Sequence, residues 1–268
     1  MNGFHVLITG DYWHGDFSKV ISKTQTPITL RPLESIIQEN QDANDQFDAV
    51  VVALSRRNRF PKIELEKLVH QFVNTPVIAL CGSWCEGEER SGQPVAGMIR
   101  VYWHQWAGRF EAFMNQVKSN APHSWQLPKI SNEADRILLD RNAAIEIQFH
   151  ETNIGISANS QDGFSMLQTA LEDPQRQTVW LENCLNANEL TFSAICIDAN
   201  SLDELTEKRI RLIKESHPCT PLILVSNFPR RSEFERASQL GVLEVVSKPF
   251  NLTDLQFAIW RCVHAAAA

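Results

Sequence analysis

Short runs of apolar, often β-branched residues recur along the chain. Residues 50–53 (Val-Val-Val-Ala) and 222–225 (Leu-Ile-Leu-Val) are apolar on both faces, the pattern of strands buried inside a parallel sheet. Helical stripes lie between and after such runs. Leu65, Leu68, Val69 and Phe72 form one; Phe110, Phe113, Met114 and Val117 form another at i, i+3, i+4, i+7; Leu255, Ala258, Ile259, Cys262 and Val263 form a third. Thr75-Pro and Thr220-Pro each open a strand, where the donor that proline lacks is least needed. Alternating strands and helices predict an α/β fold of the doubly wound kind.

The pattern also repeats. Phe47-Asp-Ala-Val-Val-Val-Ala-Leu-Ser55 matches Phe192-Ser-Ala-Ile-Cys-Ile-Asp-Ala-Asn200, and Thr75-Pro-Val-Ile-Ala-Leu-Cys-Gly82 matches Thr220-Pro-Leu-Ile-Leu-Val-Ser-Asn227. The spacing from Ala53 to Cys81 and from Asp198 to Ser226 is 28 residues in both. A third match sets Gly97-Met-Ile-Arg-Val-Tyr against Gly241-Val-Leu-Glu-Val-Val. These matches predict two domains of one fold, residues 1–118 and 151–268, each a five-stranded parallel sheet flanked by helices. Residues 119–150 read as a linker with a helix over 132–141, capped by Asn132, and strand character over 144–150.

A length of 268 residues suits two domains of ordinary size. No apolar run approaches the ~18 residues that span a bilayer, and the N-terminus lacks the pattern of a signal peptide, so a soluble cytoplasmic chain with no membrane contact is expected. The net charge of −7 is uneven: the first 118 residues carry 12 basic and 13 acidic side chains, leaving −6 for the rest. Such a balance repels phosphate backbones, and no nucleic-acid partner is expected. The six cysteines read as free thiols in a reducing compartment, with Cys196 and Cys262 inside apolar patterns.

In the second copy Asp198 ends one apolar strand, Ser226 ends the next, and Lys248-Pro-Phe250 ends the last. With these residues the copy resembles the receiver domain of two-component response regulators. The resemblance implies that Asp198 is the phosphoacceptor, a nucleophile that takes a phosphoryl group with help from a divalent metal. It further implies that Lys248 pairs with the phosphoryl oxygens and Ser226 closes on them. The metal-binding acidic pair of the family falls here on Ala158 and Asn159, neither a carboxylate; Asp162 stands at the start of the next helix, out of reach. Magnesium at Asp198 is therefore expected to bind weakly, and no other cofactor is implied. Asp198 remains readable as a marginal phosphoacceptor, as a relic, or as a loop-capping aspartate. The family's aromatic switch position is Val245, which favours a pseudo-receiver.

The repeat maps Asp198 onto Ala53, Ser226 onto Cys81 and Lys248 onto His104, so the first copy keeps none of that triad and reads as a degenerate receiver. Asp11 alone follows its first strand. Residues 86–96 contain two glycines and a proline, which predicts a loop in place of the fourth helix. Tyr12, Trp13, Trp84, Tyr102, Trp103 and Trp106 fall at strand C-terminal ends, where open α/β sheets place ligands, beside Arg56, Arg57 and Arg59. Either these rings fill a dead pocket, or Trp13, Trp84, Trp103, Trp106 and the three arginines bind a partner or small anion. A metal site from Cys81, Cys85, His104, His14 and Asp11 has irregular spacing, and a Cys81–His104 nucleophile lacks an oxyanion hole.

The expected function is response-regulator-like signal transduction by protein contact, with a histidine kinase or another signalling protein as partner and no catalytic turnover. A working regulator phosphorylated at Asp198 is one alternative. A small-molecule or anion sensor acting through the aromatic edge of the first domain is the other.

Overall fold

The computed structural model describes residues 4–22, 26–38, 47–85, 95–132, 134–136, 138–139, 152–172, 176–184 and 190–265. Contacts divide the chain into two compact units, Met1–Asp140 and Arg141–Ala268. The first carries β1 (Val6–Gly10), α1 (Gly15–Ser22), β2 (Ile28–Leu30), α2 (Leu33–Gln38), β3 (Ala49–Arg56), α3 (Lys62–Gln71), β4 (Val77–Trp84), β5 (Met98–Tyr102) and α4 (Trp106–Lys118). The second carries β6 (Thr152–Ser157), α5 (Gln161–Ala170), β7 (Arg176–Trp180), β8 (Ala194–Asp198), α6 (Glu204–Ser216), β9 (Leu222–Asn227), α7 (Arg231–Gln239), β10 (Val242–Lys248) and α8 (Leu252–Ala265).

All pairings are parallel. The sheets run β2-β1-β3-β4-β5 and β10-β9-β8-β6-β7, the second being the same order read from the other edge. This is the doubly wound order of flavodoxin-like and receiver-like domains. The central strands are buried on both faces, as their unbroken apolar runs require. In β8, Ala194 and Cys196 join one core layer and Ile195 and Ile197 the other. The repeat extends to backbone detail. Val50 N donates to the Pro76 carbonyl and Ile195 N to the Pro221 carbonyl, at 2.9 and 3.0 Å. Gly97 and Gly241, which lead into the fifth strand of each sheet, both hold φ of +83°, a conformation that strongly favours glycine.

Registers place Ala53 at the position of Asp198 and Cys81 at that of Ser226, as the repeat predicts. The third correspondence is corrected. The β9–β10 register shifts between Val242 and Glu244, so Leu243 is an extra residue with no counterpart in β5. Beyond this bulge the partner of Lys248 is Trp103, not His104. A one-residue bulge leaves the apolar pattern intact and is invisible to an ungapped comparison.

Residues 119–132, expected as linker, pack into the first unit. Trp125 is buried against Phe113 and Trp106, and buried Arg136 donates to the Ser124 and Pro128 carbonyls. Residues 134–136 and 138–139 are helical, and Asn132 caps them by accepting from Asp135 N at 2.8 Å. The expected strand at 144–150 lies outside the described residues, as does most of the expected loop at 86–96. Every cysteine described is a free thiol, and burial pushes the Cys196 thiol up to about 12. Among the described residues no helix is long and apolar enough to cross a membrane.

His123 follows the helix α4 and is buried between Phe113 and Trp125, its Nδ1 accepting the Trp125 N–H at 2.9 Å. Burial, helped by Arg109 and Arg136, lowers its pKa to about 3. Above pH 6.5 both folded and unfolded chains hold this ring neutral; below it the unfolded chain takes up a proton that the folded one does not. The first domain should therefore lose about 1.4 kcal/mol per pH unit as pH falls from 6.5 towards 3, or about 2 kcal/mol between pH 7 and 5. Urea midpoints should show that slope reduced by this amount in His123→Asn, which keeps an acceptor. Identical slopes would exclude His123 as its source.

Candidate functional site

Polar side chains gather where the strands of the second sheet end. Asp198, the last residue of β8, is partly buried, and Lys248 Nζ at the end of β10 donates to its Oδ1 at 2.7 Å. Its other oxygen lies against the first turn of α5: a Cβ on Gly163 would come within 2.5 Å of Asp198 Oδ2. Ser160 caps that helix, its hydroxyl accepting from Gly163 N at 3.1 Å. Asp198 and Lys248 are thus brought together as the sequence implies. Ser226 is not joined to them: its Oγ is fully buried and has no hydrogen-bond partner.

The positions that ought to hold a metal are otherwise engaged. Ala158 is buried, and its peptide is gripped on both sides: its N–H donates to Glu182 Oε2 at 3.1 Å, and its carbonyl accepts from Trp180 Nε1 at 3.0 Å. The second oxygen of Glu182 accepts the Ser157 hydroxyl, and Trp180 is stacked on Phe164 at 5.1 Å. Asn159 Oδ1 accepts from Arg209 of α6, and the other terminal nitrogen of that guanidinium donates to the Asp198 carbonyl. Burial lowers the Arg209 pKa, while the carboxylates of Glu182, Asp198 and Asp203 oppose that shift.

A divalent cation prefers several hard oxygen ligands, carboxylates foremost. Here the Asn159 oxygen and the Asp198 carbonyl already accept from a fixed cation, and Glu182 is spent on the chain itself. The donor set does not fit magnesium. Glu182, Trp180 and Arg209 were not among the residues the sequence singled out. They come from the end of β7 and the middle of α6, and nothing in their local pattern distinguishes them from surface residues. The indirect signal is the pair of vacated acids at 158 and 159, which leaves the Asp198 corner in need of another cation.

The first domain fills the equivalent corner differently. Asp11 is buried, accepting from the Ser55 hydroxyl and from Arg59 Nε at 2.8 Å, so Arg59 is an internal ion-pair partner with its guanidinium over Phe60. Asp16, on the first turn of α1, accepts from Ser83 N and Oγ, each at 2.9 Å. Cys81 and Cys85 are buried with their thiols directed at the Ala79 and Leu54 carbonyls, in the core and not at a metal.

The aromatic residues separate into two groups. Trp106 is corrected: it opens α4 facing inward, 1% exposed and stacked on Phe110 at 4.8 Å, and it cannot touch a partner. Trp103 is half-buried against the core and His104. Trp13 and Trp84, by contrast, are 65% and 75% exposed. Arg56, the last residue of β3, pairs in register with Trp84 of β4, and both Arg56 and Arg57, which opens the loop that follows, are exposed.

No protein-family model matches this sequence, and no curated protein matches it. Among solved structures, a pilus assembly-related protein from Burkholderia pseudomallei is 20% identical over 46% of this chain and 97% of its own, with a TM-score of 0.38. A response regulator receiver domain from Clostridium thermocellum is 16% identical over 43% of this chain and 97% of its own, with a TM-score of 0.34. A two-component system response regulator/GGDEF domain protein is 14% identical over 99% of this chain and 100% of its own, with a TM-score of 0.41. These scores lie below 0.5, and the receiver-like architecture of both domains rests on the strand order and registers above.

Gly163 offers a test of the packed Asp198 corner. Replacing a helical glycine with alanine ordinarily stabilises by about 1 kcal/mol. Here the new methyl meets a carboxylate that Lys248 holds in place, and overpacking of this kind costs about 1–3 kcal/mol. Gly163→Ala should therefore lower the urea midpoint of the second domain, and the same change should raise it in an Asp198→Ala background. Stabilisation in both backgrounds would show that Asp198 is free to move away.

Proposed function

We propose that this chain is a signalling protein of two receiver-like domains that works by protein contact, its second domain held in one state by internal cations. The observation that carries this reading is Arg209. Its guanidinium bridges Asn159 and the Asp198 carbonyl while Lys248 holds the Asp198 carboxylate. A phosphoryl group arriving at Asp198 would have to displace Lys248 from Oδ1 with no metal to offset its charge. Ser226, the hydroxyl that would close on such a group, is buried without a hydrogen-bond partner. Phosphorylation at Asp198 is therefore marginal. The first domain supplies the contact surface: Trp13, Trp84, Arg56 and Arg57 lie exposed at one edge of the sheet. Trp and Arg dominate binding hot spots because large rigid surface is desolvated at small entropic cost.

Incubation with acetyl phosphate and magnesium, read by intact mass, should give little acyl phosphate. The triple change Ala158→Asp, Asn159→Asp and Arg209→Ala should raise labelling at least tenfold by restoring the acids and removing the competing cation. Stoichiometric labelling of the parent that is lost in Asp198→Asn would overturn this reading in favour of a working regulator.

For the surface, Trp13→Ala with Trp84→Ala should cut capture of the native partner at least tenfold, at unchanged thermal stability because both rings are solvent-exposed. Undiminished capture would remove this edge from the interface.

A further inference from the structure

The two sheets differ most on the face that carries the fourth helix in the second domain. There α7 covers Leu222, Leu224 and Val242, with Ala237 buried against them. The registers assign Ala79 to the position of Leu224 and Arg100 to that of Val245. Two changes thus act together on the same face of the first domain: a large apolar side chain is reduced to a methyl, and its strand neighbour becomes an arginine. Among the described residues no helix lies between β4 and β5.

The outcome is a cavity of about 50 Å³. Its apolar wall includes Leu54, Leu65, Ala79 and Met98. Its polar wall is cationic, with Arg56, Arg59, Lys62 and Arg100, and no carboxylate lines it among the described residues. Asp11 answers Arg59, and Glu66 stands 3.7 Å from Lys62, so neither acid enters the cavity itself. A core that only needed filling would have kept leucine and valine here. Cations beside an apolar floor suit a ligand that is itself two-sided, because guanidinium groups bind phosphate or carboxylate oxygens while the floor removes hydrocarbon from water.

We propose that this pocket binds a small anion with one phosphate or carboxylate head and a short apolar body. At roughly 10–15 Å³ for each water-sized group, the cavity seats about three or four heavy atoms of the body, with the head at Arg56 and Lys62. This site is separate from the Asp198 corner and meets the edge that carries Trp84 only at Arg56, and it stands whether or not the chain works by protein contact.

Met98 lines the cavity, and Met114 and Met166 do not, so the full-length protein labelled with ¹³C-methyl methionine reports directly on binding. n-Butyl phosphate and butyrate serve as probes, with butan-1-ol supplying the body alone and inorganic phosphate the head alone. The Met98 methyl should shift saturably with at least one of the two amphiphilic anions, leaving Met114 and Met166 in place; the tighter of the two identifies the head. Butan-1-ol and phosphate should each bind at least tenfold more weakly. Arg56→Ala with Lys62→Ala, two exposed changes that leave the core alone, should lower affinity at least tenfold. Ala79→Leu, which installs the side chain of the second domain, should abolish the shift. No shift at Met98, equal binding of butan-1-ol, or unchanged affinity in the Arg56→Ala/Lys62→Ala protein would each overturn the proposal. Full binding by a folded Ala79→Leu protein would do the same. If that variant does not fold, the exposed pair still decides.

Discussion

A parallel sheet covered by helices on both faces can carry polar side chains cheaply only where its strands end. Elsewhere each buried polar group would need a partner that an apolar layer cannot supply. Both domains gather their acidic side chains at or just beyond those ends, and their differences follow from how each arranges them there. In the second, the rim is organised around Asp198, which has a cation on its carboxylate and another on its carbonyl. In the first, alanine stands in that position, and the polar role passes to Asp11 and Asp16, one strand over. The same fold hosts two differently partnered rims: an acid with a cation on its carboxylate and another on its carbonyl, and two buried acids answered by an arginine and by serine donors.

The repeat, the strand order and the core helices were legible because each rests on local periodicity over several turns or strands. The Asp198–Lys248 pair was legible because strand ends converge in any sheet of this order. What escaped the sequence has specific causes. The bulge at Leu243 shifted every later correspondence by one residue, so Lys248 was matched to His104 and not to Trp103. Trp106 was grouped with the exposed rings because it lies only three residues beyond Trp103, yet those three residues complete the turn into α4 and point it inward. The prolines near residue 125 looked like linker, although His123 and Trp125 close the first core. Glu182 and Arg209 meet Ala158 and Asn159 only through the folding of separate elements, and no spacing rule announces such a meeting.

The exposed and buried aromatics are informative as a set. Trp106, Phe110, Phe113 and Trp125 stack within one layer, where large rings contribute most to stability. Trp13 and Trp84 contribute little to that layer. Two large rings displayed beside arginines are thus the part of this rim that the core does not use.

Arg209 also changes what the surroundings can do to the second domain. A metal site fills and empties with the concentration of free ion, so a pocket built on one reports on the medium as well as on its kinase. A guanidinium tethered to α6 is present at fixed stoichiometry and at a high effective concentration set by the fold. Chelators cannot remove it, and a rise in magnesium must compete with it. Charge balance at the Asp198 corner is thereby written into the chain at synthesis and is uncoupled from the ionic state of the cell.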